Sequence, residues 1–491
     1  MTDQRSLTTK QISLLFAVFL VFLLLPRLGL ILDGVAYAED WNHPHPAHLD
    51  SYRPFSAFIL WLSNQVFGND QLITVLPRLL STLSYAAAFT VLTISFTKIG
   101  VKISMLISIF IFLCVHPALN EMILWGVTYT YALSFFISCI GIHLVFNAIS
   151  NRSGVIGLFL LCVAALGYQM LATIAACALL VETLAKGLPS LFRLPRAALI
   201  IRLSAATLPI IVSLVALLIM QKGLGYYDFA SRGVANSSTS FAEFLESRYY
   251  VLTNAFANYY QAQLDYVAGY DVTVGALKSV LFLITLIVLS LSLHRKSAYG
   301  VLQVTILYML FFISLAPLLG TSAIPSGYRI SLFSLILFAT GFASIISYYC
   351  VSNMFNFTAI ALISICSAVS LLVSLEDIEL RAQIWKRDLA NRAVVGRSQQ
   401  MQTPVEVCKP QEDDAGLNTG ILVSYNRTGA KNYSVWHTAS YFLESFLEKG
   451  GINPDHVSFV DIEVCQQTCS TNSALSNSRN QHSQNRNLVC L

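Results

Sequence analysis

Between the first long apolar segment and the next, residues 32–60 read LDGVAYAEDWNHPHPAHLDSYRPFSAFIL. Asp33, Glu39, Asp40 and Asp50 crowd into this span together with His43, His45, His48 and Arg53. Carboxylates at this density suit proton removal from an attacking hydroxyl, and an arginine beside them suits the grip of a departing phosphate. Glu39 and Asp40 are adjacent, so their side chains diverge; one can act as base while the other orients a neighbour. Asp33, closer to the end of the first apolar segment, is the competing base. The three histidines make a weaker set, because Pro44 and Pro46 force an extended path that spreads them. Neither a metal nor another cofactor is expected.

The elements that must position these groups are set by composition. Only 11% of the 491 residues are charged and 55% are hydrophobic, against about 25% and about 45–50% in soluble domains. One large water-soluble core is excluded, and the chain reads as an all-α polytopic membrane protein. The formal net charge of +4 follows from Lys and Arg in short connections and gives no reason to expect nucleic acid as a partner. Apolar runs occur at 11–32, 72–97, 101–116, 127–149, 154–166, 168–184, 198–220, 277–293, 299–319, 330–350 and 355–374, about 11 transmembrane helices. Residues 154–185 could form one long helix or two short ones broken at Gly167-Tyr168-Gln169, and the alternation of basic loops favours two. Arg5 and Lys10 before Ile12–Leu25, with Ala36-Tyr37-Ala38 beyond, resemble a cleavable signal, but the apolar stretch continues through Leu32 and fits a retained helix better.

Orientation follows from the basic connections. With all eleven helices counted, Arg5, Lys10, Lys98, Lys102, Arg152, Lys186, Arg193, Arg196, Arg295 and Lys296 fall on one side, which the positive-inside rule makes cytoplasmic. The loops 33–71 and 221–276, the 320–329 connection and the tail from Glu376 are then external. Ten cysteines divide accordingly: six sit in apolar runs, and Cys408, Cys465, Cys469 and Cys490 lie in the tail, where an oxidising compartment would pair them. The division expected is 1–374 as the membrane domain and 375–491 as a small extracytoplasmic α/β domain. Within the tail, Glu376–Arg397 reads as a helix, 420–425 as a strand, His437–Lys449 as a helix and His456–Ile462 as a strand. The Ser-, Asn- and Gln-rich end reads as disordered except where a disulfide pins Cys490.

Further candidates lie at the predicted outer rim. Arg53-Pro54 opens an apolar stretch too short to span, which suits a helix lying in the interface with Arg53 at headgroup depth. Arg329 stands at another membrane boundary and is the second candidate for holding phosphate. The turns His116–Glu121 and Gly167-Tyr168-Gln169 are polar, which adds Glu121, Tyr168 and Gln169 as candidate ligands. Paired tyrosines in 221–276 suit interfacial anchoring or stacking against a sugar ring.

The run DGVAYAEDW, followed by SYRPFSAFILW, resembles the opening of the Gtr-type O-antigen glucosyltransferases of the GT-C superfamily. These carry an acidic pair in the first external loop and an Arg-Pro step into an interfacial helix. Glu39-Asp40 and Arg53-Pro54 match that pattern, and the His116–Trp125 and Gly167-Tyr168-Gln169 turns are similar to the family's Asn-rich and Tyr-Gln turns. The resemblance covers the membrane region to about residue 350 in pattern, with specific residues only in the first 170. It implies a GT-C-like fold in a bacterial inner membrane and a polyprenyl-phosphate-linked sugar, most commonly glucose, as donor. It also implies an external glycan such as the O-antigen of lipopolysaccharide as acceptor, with inversion at the anomeric carbon. Tyr52 stands where Gly often precedes the Arg-Pro step, and the His-Pro insert and the cysteine-bearing tail have no counterpart in that pattern. The rival is a flippase or transporter for a lipid-linked sugar, which would place ionisable groups along a path through the membrane. Arg27, Arg78 and Arg202 are the residues that such a path would use.

Overall fold

Long apolar runs without water to solvate their backbone must close their hydrogen bonds internally, and helices do so within one segment. The chain is accordingly mostly helical in the computed structural model, which describes residues 7–33, 53–68, 74–147, 151–220, 286–290, 293, 299–315, 328–349, 353–401, 404–408, 436, 440–460 and 488–490. The first elements are α1 (Thr9–Leu24), α2 (Leu28–Leu32), α3 (Pro54–Phe67), α4 (Val75–Lys98) and α5 (Ile103–Val115). There follow α6 (Ala118–Leu124), α7 (Tyr129–Phe146), α8 (Asn151–Gly167), α9 (Ile174–Lys186) and α10 (Arg196–Leu218). The last are α11 (Gly300–Leu315), α12 (Tyr328–Tyr349), α13 (Asn353–Met401) and α14 (Ser440–Glu448). Among the described residues, five helical stretches are long and apolar enough to cross a membrane, those containing α4, α7, α9, α10 and α13, and five shorter apolar ones accompany them. Every expected apolar run except 277–293 falls on one of these helices; most of 277–293 lies outside the described residues, as do 34–52 and 221–276.

The 11–32 run is not one helix. Pro26 removes a backbone donor and ends α1, and Arg27, fully buried, turns back to donate to the carbonyls of Leu23 (2.9 Å), Cys114 (2.8 Å) and His116 (3.1 Å). Residues 154–186 do divide, with α8 ending at Gly167 and a short 3-10 turn, Gln169–Thr173, leading into α9. Aromatic packing forms the centre: Phe19 of α1 meets Phe89 of α4 and Phe110 of α5 edge-on, while Phe89 and Phe110 stack with centroids 5.2 Å apart. Hydroxyls within these helices bond back to the preceding turn, as Thr90 to Ala86 and Thr93 to Phe89, both at 2.8 Å, so they need no water. Outward-facing Ile200, Leu203, Ile211 and Leu214 on α10 are exposed apolar side chains suited to lipid.

α13 has 49 residues, roughly 73 Å, and runs unbroken across the expected boundary at 374/375. Its distal half carries a second, smaller core. Three strands, β1 (Val405–Cys408), β2 (Val457–Phe459) and β3 (Leu488–Cys490), form a parallel sheet in the order β2-β1-β3. α14 lies in the β1-to-β2 connection, the crossover that a parallel pair requires. Val395 of α13, Val405, Val407, Trp436 and Phe446 are buried together, and Arg392 covers the Phe446 ring at 4.4 Å. The expected tail helices over 376–397 and 437–449 and the strand near 456–462 have counterparts in α13, α14 and β2. The strand expected at 420–425 lies outside the described residues. β1 was not expected; β3 lies at Cys490, the one place in the polar end where order was expected from a disulfide, and Cys490 stands opposite Cys408 in the sheet register. Cys408 is disulfide-bonded.

Candidate functional site

Pro54 starts α3 because its missing N–H is one that a first turn leaves unsatisfied and its fixed φ suits a helix. Arg53 thereby becomes the residue flanking the helix start. α3 is seated by its small face: Ser56, Ala57 and Leu60 are buried, and the Ser56 hydroxyl donates to the Gly167 carbonyl at 2.7 Å. Gly167 admits this approach because a Cβ there would run into the Ser134 side chain and come within 2.9 Å of Phe55. Farther along, the Ser63 and Tyr129 hydroxyls meet at 2.6 Å.

This seating brings three residues singled out from the sequence into one cluster. The Arg53 guanidinium carbon lies 4.9 Å from the centre of the Tyr131 ring and 5.2 Å from that of Tyr168. Its Nε donates to Gln169 Oε1 at 3.2 Å and its Nη1 donates to the Tyr131 hydroxyl. Tyr131 and Tyr168 stack at 4.6 Å with planes 21° apart. Behind them Phe333 of α12 packs on Tyr168, and Phe135, one turn on from Tyr131, packs on Phe333 and Tyr85. Both stacked tyrosines are buried, whereas Arg53 and Gln169 keep partial exposure. Among the described residues Arg53 has no carboxylate partner and its Nη2 makes no hydrogen bond. A cation held by neutral groups and open at one end is equipped to receive an anion.

Asp33 closes α2, exposed, with its N–H on the Gly29 carbonyl. Glu39 and Asp40 lie outside the described residues, as do His43, His45 and His48. Glu121 stands on α6 and Arg329 on α12; of these two the helix position alone is described. Arg329 precedes Phe333 by four residues, which puts its Cα one turn away on the side of α12 that meets Tyr168. Among the described residues no three His, Cys, Asp or Glu side chains gather closely enough to hold a metal ion.

Two features escaped sequence reasoning. Tyr131 is the first; its only signal was the Tyr129-Thr130-Tyr131 repeat at the start of an apolar run. The second is a buried polar junction built on the His116–Glu121 turn. There Asn120 donates to Asp377 at 2.7 Å and accepts from Ser374 at 2.9 Å, while Arg381 donates to Asp377 at 2.8 Å. Asn120 faces inward, fully buried, and ties α6 to α13. No protein-family model matches the chain, and no curated protein matches it.

Proposed function

We propose that the chain is a GT-C-like inverting glycosyltransferase that moves a sugar, glucose in the commonest case, from a polyprenyl-phosphate carrier to an external glycan such as O-antigen. Asp40 or Glu39 takes the proton of the acceptor hydroxyl, with Asp33 as the alternative base. Arg53, joined by Arg329, holds the lipid phosphate as it leaves. The observation that carries the reading is Arg53 itself, a half-buried guanidinium held by Tyr131, Tyr168 and Gln169 with no carboxylate partner among the described residues. It follows the acidic loop directly in sequence, so the proposed base and the proposed grip are joined by a short stretch of chain. Exposed Phe58, Trp61, Leu62, Val66 and Phe67 on α3 support a helix lying at the interface, since 14 residues reach only about 21 Å, against a hydrocarbon core of about 30 Å.

The proposed setting is a bacterial inner membrane, with about eleven spans, a cytoplasmic N-terminus and a periplasmic C-terminal part. The disulfide at Cys408 supports that side for the tail. The transport alternative loses support from the three arginines within the apolar runs. Arg27 is bound to three carbonyls, Arg78 donates to the Leu124 carbonyl at 3.0 Å, and Arg202 pairs with Glu182 and donates to the Phe146 carbonyl at 2.9 Å. These are fixed ties between helices rather than steps along a path.

The test is the mass of surface glycan from cells carrying the wild-type protein, Asp40→Asn or Glu39→Gln. A one-hexose increase with the wild type, lost in at least one variant that still inserts at normal level, is expected. Wild-type modification by both variants would remove the proposed base. Purified protein that moves labelled lipid-sugar across vesicles without attaching it to an acceptor would favour the transporter.

A further inference from the structure

Arginines withdrawn from water ordinarily meet a carboxylate. Arg53 instead meets an amide oxygen, a phenol oxygen and two ring faces. Each of these fixes the guanidinium plane, and none cancels its charge. A carboxylate in the place of Gln169 would orient the group as well and neutralise it. The pattern of bonds also selects an edge. Gln169 occupies Nε, which closes the side-on fork made by Nε and Nη2; Tyr131 takes one donor of Nη1; and Nη2 has no hydrogen bond among the described residues. What remains is the tip of the guanidinium.

We infer that Gln169, Tyr131 and Tyr168 form a neutral cage that holds Arg53 oriented but electrostatically uncompensated, so that its tip takes one phosphate mono- or diester end-on. The inference rests on the anion role proposed for Arg53 and deepens it. Gln169 and the two tyrosines become positioning residues that act through Arg53. The tyrosine stack supplies rigidity: both rings are buried and Tyr168 packs on Phe333, which Phe135 backs in turn, so the faces beneath the guanidinium do not yield. Anion affinity then depends on the cage staying uncharged, not merely on its being well packed.

The discriminating variant is Gln169→Glu, which keeps the size of the side chain and an acceptor for Nε but adds a negative charge. Gln169→Leu removes the acceptor, Tyr131→Phe keeps the ring without the hydroxyl, and Arg53→Leu removes the cation. Full-length protein in detergent is titrated with a short-chain prenyl monophosphate, the matching prenol and inorganic phosphate, and its thermal midpoint is followed. Gln169→Glu is expected to weaken prenyl monophosphate binding about tenfold or more, the scale of a lost charge-assisted contact, with the midpoint unchanged or raised and prenol binding unaffected. Tyr131→Phe and Gln169→Leu weaken it less. In transfer assays kcat falls together with donor affinity, because the charge on the phosphate that Arg53 holds grows as the sugar leaves. Wild-type phosphate affinity in Gln169→Glu, with affinity lost in Arg53→Leu, overturns the cage and leaves Arg53 as the grip. Wild-type affinity in Arg53→Leu overturns both. Inorganic phosphate competing as strongly as the prenyl monophosphate supports the cage and overturns a lipid headgroup as its ligand.

Discussion

Asp377 is fully buried and shares its carboxylate between Asn120 and Arg381, so its removal takes an acceptor from a buried cation and a buried amide. Asp377→Leu is therefore expected to destabilise the protein by about 3–5 kcal/mol, the range for breaking one side of a buried pair. The double variant Asp377→Leu, Arg381→Met removes both charges and should recover most of that loss. Thermal unfolding in detergent separates the two outcomes, and equal losses in the single and double variants would mean that the pair is not the source of stability. Arg53 obeys different rules because it is partly open. Replacement by Lys keeps the charge but loses the planar fork and the stacking over Tyr131 and Tyr168. Arg53→Lys is expected to retain fold and insertion while lowering kcat/KM about tenfold to a hundredfold, the loss of one to two charge-assisted contacts. A transfer rate equal to wild type would leave only a point charge at this position.

Between elements, α7 and α8 make a tight contact. A Cβ on Gly157 would come within 2.8 Å of the Gly141 carbonyl, and one on Gly141 within 2.9 Å of the Gly157 carbonyl. The helices approach backbone to backbone, the packing that small residues permit where no water drives association. Gly157→Leu should separate them and, by overpacking, cost about 1–3 kcal/mol or more, read as lost thermal stability or failed expression. The same substitution at Gly29, where a Cβ meets nothing within 4 Å, serves as the control. Because α8 ends at Gly167, where α3 is seated, a shift of α8 should also disturb Arg53. This dependence explains what the sequence could and could not convey. Arg53, Tyr168 and Gln169 were legible because each stands at a local break, a proline step or a polar turn between apolar runs. Tyr131 lies inside a helix with nothing local to mark it, and its role comes from the crossing of α3, α7 and the α8 end. Likewise the α1–α2 break hinges on Pro26, which is visible, but is completed by Arg27 reaching carbonyls 87 and 89 residues away, which no periodicity reveals.

Across the whole molecule, α13 joins two cores of different character. Its first half carries exposed Phe357, Leu362 and Ile365, as a lipid-facing helix would. Asn120, Ser374 and Asp377 fix its middle to the helical bundle, and Val395 with Arg392 anchors the sheet and α14 at its far end. The sheet was only half legible from sequence, because its strands are three or four residues long and the pairing that creates β1 and β3 joins segments far apart in the chain. A rigid helix that leaves the bilayer carries whatever it bears to one side of the membrane, so the redox state of Cys408 reports the topology of the entire chain. If the tail is periplasmic, Cys408 in intact cells should resist a membrane-permeant maleimide until a reductant is added, then take up label. Cys366, free and exposed on the apolar half of the same helix, should not change its labelling on reduction. Cells lacking the periplasmic disulfide machinery should show Cys408 labelled without reductant, together with a loss of the tail's resistance to protease, since a native disulfide typically contributes about 2–4 kcal/mol. Immediate labelling of Cys408 in unreduced wild-type cells would put the tail in the cytoplasm. The parity of the spans would then change, and with it the side of the membrane on which the acidic loop and Arg53 lie.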